Sequence, residues 1–241
     1  MPPACQAGQA GGTGAGPLRA AIAALPPFAG LTPAQMDALL AEARSLALRA
    51  GAALFRQGEE AQHFYVLLSG HLRVAKVTPD GRQVLVRFIH PGDPCGIAVA
   101  MGWRAYPATA TAAVDCLLVG WLSSAWPRLA QAAPALSMNM MQSLGPRLND
   151  TQARVMEMST EPVEQRLAHA LLRLAARAGR PAAEGIEIGF PLSRQDLAEL
   201  AGTTLHTASR IMSGWEERNL VSGGRRRVVL RDRRGLERLA G

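Results

Sequence analysis

Between Leu192 and Ile211, and just beyond, polar side chains recur at helical spacing: Thr204, His206, Thr207, Ser209, Arg210 and Ser213. Arginine offers a rigid fork of donors, neutral histidine one donor and one acceptor, and each hydroxyl both. Such a set makes hydrogen bonds rather than covalent bonds, and its side chains are suited to reading base edges in a major groove. Further on, Arg225, Arg226 and Arg227 follow Ser222-Gly223-Gly224, and consecutive guanidinium groups suit phosphate oxygens. The bland alternative for that run is a solvated turn. Catalytic chemistry has no comparable signal: no nucleophile–base pairing, phosphate-cradling loop or paired carboxylate stands out. A metal-dependent cupin-like β-roll enzyme would need a His-x-His pair with Glu and a further His, whereas His63 and His71 stand eight positions apart without that neighbourhood. Cys5, Cys95 and Cys116 have no metal-ligand spacing and imply no disulfide framework.

These side chains need elements to hold them. Ser193 with Asp196 resembles a capping box at a helix start. That helix should bury Leu197, Leu200 and Ala201, keep Ala198 small at a helix crossing, and turn at Gly202. Leu205, Ala208, Ile211 and Met212 then give a second helix its buried stripe, which predicts a helix-turn-helix. Asn219–Val221 and Val228–Leu230 flank the arginine run as a β-hairpin wing, and Ile186, Ile188 and Phe190 alternate as a third strand.

Upstream, Met141, Leu144, Leu148, Thr151, Val155 and Met158 repeat at spacings 3, 4, 3, 4, 3. This seam predicts a short two-stranded coiled coil, or else one amphipathic helix packed on its own domain. Pro146 must kink that helix or begin it afresh, and Glu161-Pro162 breaks it before another helix over 163–178. From Gly51 to Leu122, short apolar or alternating runs separated by glycines point to an antiparallel barrel or roll. Within it, Phe64–Leu68 is a strand, and Pro79-Asp80-Gly81 turns between a strand from Leu72 and one in which Val84, Val86 and Phe88 alternate with their neighbours. Leu18 to Leu48 is helical in spacing, with Thr32-Pro33 starting a helix to about Ser45. Residues 1–17 read as a disordered tail.

The chain has 241 residues, 48% of them hydrophobic, and a net charge of +7, which suits a globular protein of one large or two small domains. Residues 1–162 carry 12 basic and 10 acidic groups, and residues 163–241 carry 14 and 9. The positive excess therefore concentrates in the C-terminal third and suggests a polyanion there. Nothing approaches a membrane span or a secretory leader, so a cytoplasmic location is expected.

Roll, long helix and winged helix-turn-helix, in that order, resemble the Crp/Fnr family of bacterial transcription regulators over residues 18–240. The resemblance rests on Leu54-Phe55-Arg56-Gln57-Gly58-Glu59, Phe64–Gly70, Thr78-Pro79-Asp80-Gly81, Pro91-Gly92-Asp93 and Thr207-Ala208-Ser209-Arg210. It implies an α+β protein: a cyclic-nucleotide-binding-like antiparallel β-roll over 18–133, a dimerisation helix over 134–160 bearing the 141–158 seam, and a winged helix-turn-helix over 161–241. The implied partners are a second copy of the chain, double-stranded DNA carrying an inverted repeat, and RNA polymerase. Of the Fnr branch's Glu-x-x-Ser-Arg reading sequence, Ser209 and Arg210 match and His206 replaces Glu. Relatives that bind cyclic AMP carry Gly-Glu-Leu and Arg-Ser-Ala. This chain has Gly96-Ile97-Ala98 and no Arg-Ser-Ala over Arg104–Thr109, which argues against cyclic AMP. An Fnr-type iron–sulfur cluster needs three N-terminal cysteines besides the position matched by Cys116, and only Cys5 is there. Haem remains a candidate group, as in nitric-oxide-responsive relatives, with His63, His71, His90 and Cys95 as candidate axial ligands. A ligand-free roll acting only as a scaffold is the other reading.

Overall fold

The computed structural model describes residues 15–241. Residues 1–14 of the expected tail, Cys5 among them, lie outside the described residues. Positions 15–17 instead open helix α1 (Ala15–Ala23). Helix α2 (Pro33–Ala41) starts as expected: the Thr32 hydroxyl accepts from the Gln35 N–H at 3.3 Å, and the Gln35 side chain accepts from the Thr32 N–H at 3.0 Å. It ends earlier than its spacing suggests, because Arg44–Leu48 is strand β1.

Seven more strands follow: β2 (Ala53–Phe55), β3 (His63–Ser69), β4 (Leu72–Val77), β5 (Gln83–Ile89), β6 (Pro94–Cys95), β7 (Thr109–Ala112) and β8 (Cys116–Leu122). Helices α3 (Trp126–Ala132), α4 (Pro134–Gln142), α5 (Leu144–Thr160) and α6 (Val163–Ala178) come next. The C-terminal region adds β9 (Gly179–Ala182), β10 (Gly185–Ile188), α7 (Arg194–Leu200), α8 (Leu205–Glu217), β11 (Val221–Gly224), β12 (Arg227–Leu230) and α9 (Arg233–Ala240).

These residues form two compact units, one reaching to Arg73 and resuming over Ile89–Gly145, the other comprising Val74–Phe88 and Pro146–Gly241. In the first, β1, β8, β3 and β6 form an antiparallel sheet in that order, with Val66 opposite Val119 and Leu48 opposite Cys116. Its inner face buries Phe64, Val66, Val119 and Trp121 against Ile22, Phe28, Leu39 and Leu136 from the helices. The Trp121 indole N–H donates to the Leu39 carbonyl at 2.9 Å, so this large side chain is buried with its polar atom satisfied. At Gly70 φ is +87°, and an added Cβ would lie 2.5 Å from the Asp115 carbonyl oxygen; only glycine fits this turn.

In the second unit, Thr78-Pro79-Asp80-Gly81 closes the β4–β5 hairpin, with the Thr78 N–H donating to the Arg82 carbonyl at 2.9 Å. On β5 the inward positions are Leu85, Phe88 and Ile89 while Val84 is exposed, so the strict alternation suggested by the sequence does not hold. Helix α4 ends at Gln142, and α5 restarts at Leu144 with Pro146 in its first turn, where its missing N–H costs no helix bond. The C-terminal sheet has the order β11-β12-β10-β9, one strand more than the sequence suggests.

Candidate nucleic-acid interface

Helix α7 is set by its start. The Ser193 hydroxyl accepts from the Asp196 N–H at 3.0 Å while the Asp196 carboxylate accepts from the Ser193 N–H at 3.0 Å, the reciprocal capping box anticipated from sequence. Leu197 and Ala198 are fully buried where α7 meets α8. Gly202 takes φ +62°, and the Thr203 N–H donates to the Ala198 carbonyl at 2.8 Å to close the corner. Helix α8 begins at Thr204, whose hydroxyl accepts from the Thr207 N–H at 3.2 Å. Its inward face is Ala208, Met212 and Trp215. Leu205, expected in that stripe, is instead 48% exposed in the first turn of α8. Trp215 lies outside the stripe expected from sequence, although it continues the Ala208–Met212 spacing; its indole N–H donates to the Glu164 carboxylate at 2.8 Å and ties α8 to α6.

The outward face of α8 carries His206 and Arg210, both exposed, with Thr207, Ser209 and Ser213 half-buried beside them. Arg194, a residue not singled out from sequence, lies across this face. Its guanidinium donates to the Ser209 carbonyl at 3.0 Å, to the Ser213 hydroxyl at 3.1 Å and to both Glu216 oxygens at 2.9 and 3.1 Å. Thr204 and Ser213 therefore have structural partners, whereas His206 and Arg210 project freely.

The wing turns at Arg225-Arg226, Arg226 holding φ 62°. Both are exposed and carry no ion pair among the described residues. Arg227 differs: it donates to both Glu187 oxygens at 2.9 and 2.8 Å, and that pairing lowers the Glu187 pKa below the usual carboxylate range. Arg218 and Arg231 are likewise paired, with Glu164 and Glu184. Among the described residues, Arg210, Arg225 and Arg226 are thus exposed guanidinium groups without an ion pair.

Residues 165–239 match the model of the Crp-like helix-turn-helix domain, and residues 45–132 that of the cyclic nucleotide-binding domain. The nitrogen fixation regulation protein FixK of Azorhizobium caulinodans is 32% identical over 191 residues, covering 77% of this chain and 75% of that protein. The chain belongs to the Crp/Fnr family of transcription regulators. Transcriptional activator protein FnrA of Stutzerimonas stutzeri is 26% identical over 198 residues, 82% of this chain and 81% of that one. Among solved structures, FixK2 from Bradyrhizobium japonicum shares the fold with a TM-score of 0.72 at 24% identity, covering 83% of this chain and 98% of that one. A CRP-family transcriptional regulator from Thermus thermophilus gives 0.70 at 27% identity, covering 81% and 96%. The chain is a transcription regulator with a DNA-binding helix-turn-helix.

In the roll of this Crp/Fnr protein, Ile97 is buried in the apolar core with Phe64 and Trp121. Next to it, an added Cβ at Gly96 would sit 3.1 Å from the His63 carbonyl oxygen and 3.3 Å from the Tyr106 ring. Tyr106 stacks on Phe55 at 4.0 Å and its hydroxyl donates to the His63 carbonyl at 2.7 Å. The candidate haem ligands are scattered. His63 is half-buried and stacks near Tyr65, with burial and then the Arg44 charge lowering its pKa. Cys95 is buried on β6 opposite Tyr65. His71 and His90 do meet, both buried, with rings edge to face at 5.2 Å. Two imidazoles packed on each other leave no slot between them for a flat macrocycle, so this pair does not fit haem. The Cys116 thiol, raised in pKa by burial, donates to the Val114 and His71 carbonyls at 3.2 and 3.4 Å. Among the described residues no three of His, Cys, Asp and Glu converge to hold a metal ion.

The seam is also visible. Met141 on α4 and Leu148, Val155 and Met158 on α5 are exposed, Leu148 at 60% and Val155 at 58%, and Thr151 is exposed between them. Leu144 instead packs partly on the roll core. Among the described residues no helix is long and apolar enough to cross a membrane.

Proposed function

We propose that the chain acts as a cytoplasmic homodimer on an inverted-repeat operator, controlled by a signal other than cyclic AMP. Residues 18–133 serve as the sensor, 134–160 as the dimerising segment and 161–241 as the reader. The observation that carries the reading is the outward face of α8, where His206 and Arg210 are exposed, together with the exposed guanidinium groups of Arg225 and Arg226 on the wing. Arg210 donates to guanine O6 and N7, Ser209 and His206 contact neighbouring bases, and Thr204, Thr207 and Ser213 support the approach to the backbone. Arg225 and Arg226 neutralise phosphates, and Arg227 joins them through its free face beside Glu187.

An apolar stripe exposed on consecutive turns of one helix is costly to leave in water, and a second copy covering it removes that cost. Two-fold symmetry then sets two recognition helices about 34 Å apart, one DNA turn. RNA polymerase is the remaining partner. Selection from random duplex DNA, run with sedimentation of the free protein, tests the reading. A dimer that enriches an inverted repeat is expected, and a monomer that enriches single sites overturns it. A ligand-free roll is a second reading, favoured by the burial of Ile97 where relatives place a ribose-binding Glu. An absorption spectrum of protein made with and without oxygen separates them: a Soret band ends the ligand-free reading.

A further inference from the structure

The β4–β5 hairpin lies in sequence within the segment matched by the cyclic nucleotide-binding domain, residues 45–132, yet Val74–Phe88 packs as part of the C-terminal unit. Strand β5 ends its sheet, so its outer backbone groups need partners from elsewhere. Helices α7 and α5 supply them. The Leu85 N–H donates to the Glu199 carboxylate on α7 at 2.7 Å. Arg154 on α5 donates through one guanidinium nitrogen to the Val86 carbonyl and through another to the Leu200 carbonyl at 3.2 Å. Leu200 closes α7, where unpaired carbonyls and the helix dipole favour a cation. Apolar contact reinforces these bonds: Leu85 is fully buried, and Phe88 meets Phe190 with ring centroids 4.6 Å apart. A partly buried ion pair between Glu157 and Arg173 holds α5 to α6 close by.

We propose that Glu199 and Arg154 are positioning residues for DNA recognition, bracing the helix-turn-helix against the β4–β5 hairpin and so fixing the angle at which α8 meets its half-site. None of these bonds touches His206, Arg210, Arg225 or Arg226, so the brace sets orientation while the reading face stays open. The hairpin is thereby the part of the sensor segment whose movement the reader feels directly. The inference rests on the dimeric, inverted-repeat reading. If two half-sites must be met at once, a loosely held α8 loses selectivity for their spacing before it loses affinity for either half.

The test uses the full-length wild type, Glu199→Ala, Glu199→Gln and Arg154→Lys. Each is titrated against the inverted repeat selected by the wild type, the same repeat with three base pairs inserted at its centre, and a single half-site. Circular dichroism and thermal melts check folding. Glu199→Ala should lower discrimination between the two spacings by about tenfold, the scale of one hydrogen bond to a charged group, and leave half-site affinity unchanged. Glu199→Gln keeps an acceptor for the Leu85 N–H and should recover most of the discrimination, whereas Arg154→Lys, with one nitrogen for two carbonyls, should lower it. Wild-type spacing discrimination in folded Glu199→Ala, an equal loss on all three DNAs, or a Gln variant no better than Ala would each overturn the brace. A wild type that enriches no inverted repeat at all refutes the underlying dimeric reading instead, and is seen before any variant is made.

Discussion

The C-terminal unit and the roll of this chain treat polar groups in opposite ways. In the C-terminal unit Ala208, Met212 and Trp215 turn inward, and His206 and Arg210 are left outside with hydrogen-bonding capacity unspent. In the roll, the segment that would hold a cyclic nucleotide in relatives turns apolar and aromatic groups inward: Ile97 in the core, and Phe55 stacked on Tyr106, whose hydroxyl is bound to the His63 carbonyl. The α8 face keeps its donors free, whereas this segment of the roll binds the Tyr106 donor internally. In the proposed reading DNA is selected on the open face of α8, and the signal cannot be read by transferring a family pattern onto the roll.

Variants that probe this contrast can be ranked. The largest effect is expected from the two tryptophan anchors. Trp215→Ala should destabilise the reader by about 3–5 kcal/mol, and Trp121→Ala should cost the roll a similar amount, each seen in denaturant unfolding. If Trp215→Ala left operator binding intact, the claim that this inward anchor orients α8 would fail. Next, Leu148→Glu on the exposed seam should weaken self-association by at least roughly thirtyfold, about 2 kcal/mol, in sedimentation equilibrium, with the monomer still folded. An unchanged dimer would move the interface off α5.

Smaller still is the effect of the wing. Arg226→Ala should weaken binding to specific and random DNA alike and reduce the slope of log affinity against log salt by about 0.9, the share of one phosphate. Arg227→Ala should change that slope less, because its guanidinium is already shared with Glu187. The smallest effect lies in the roll. Asp115 accepts from the Ala50 N–H and from Arg49, which hold its pKa below the usual carboxylate range. A pKa depressed by folding adds stability above about pH 4, and this is lost as pH falls through the depressed value. Asp115→Asn should therefore lower stability slightly at neutral pH, leave the lowest pH values almost unchanged, and so flatten the acid side of the stability profile.

How much of this is legible in the sequence follows from the range of the interactions. The capping box at Ser193, the corner at Gly202 and the restart of the helix at Pro146 depend on neighbours a few residues away, and each stands where the sequence puts it. Strand β1 is hidden because Arg44–Leu48 becomes a strand only by pairing with β8, Arg44 opposite Gly120 and Leu48 opposite Cys116. Strand β9, Gly179-Arg180-Pro181-Ala182, has no strand pattern of its own and exists through β10. Of the site, the projecting residues are readable from helical spacing. The partners that engage Arg227 and Ser213, namely Glu187 and Arg194, are not, since they come from other elements.

If Arg210 on α8 reads a base within an inverted repeat, its loss must show in preference rather than in bulk affinity. The quantity to measure is the ratio of affinities for the selected operator and for random DNA of equal length, in wild type and Arg210→Ala, at one fixed salt concentration. The variant should remain a dimer and bind random DNA nearly as before, while its preference for the operator falls by at least about tenfold per half-site. A variant that kept the wild-type preference would contradict the assignment of Arg210 as the base reader.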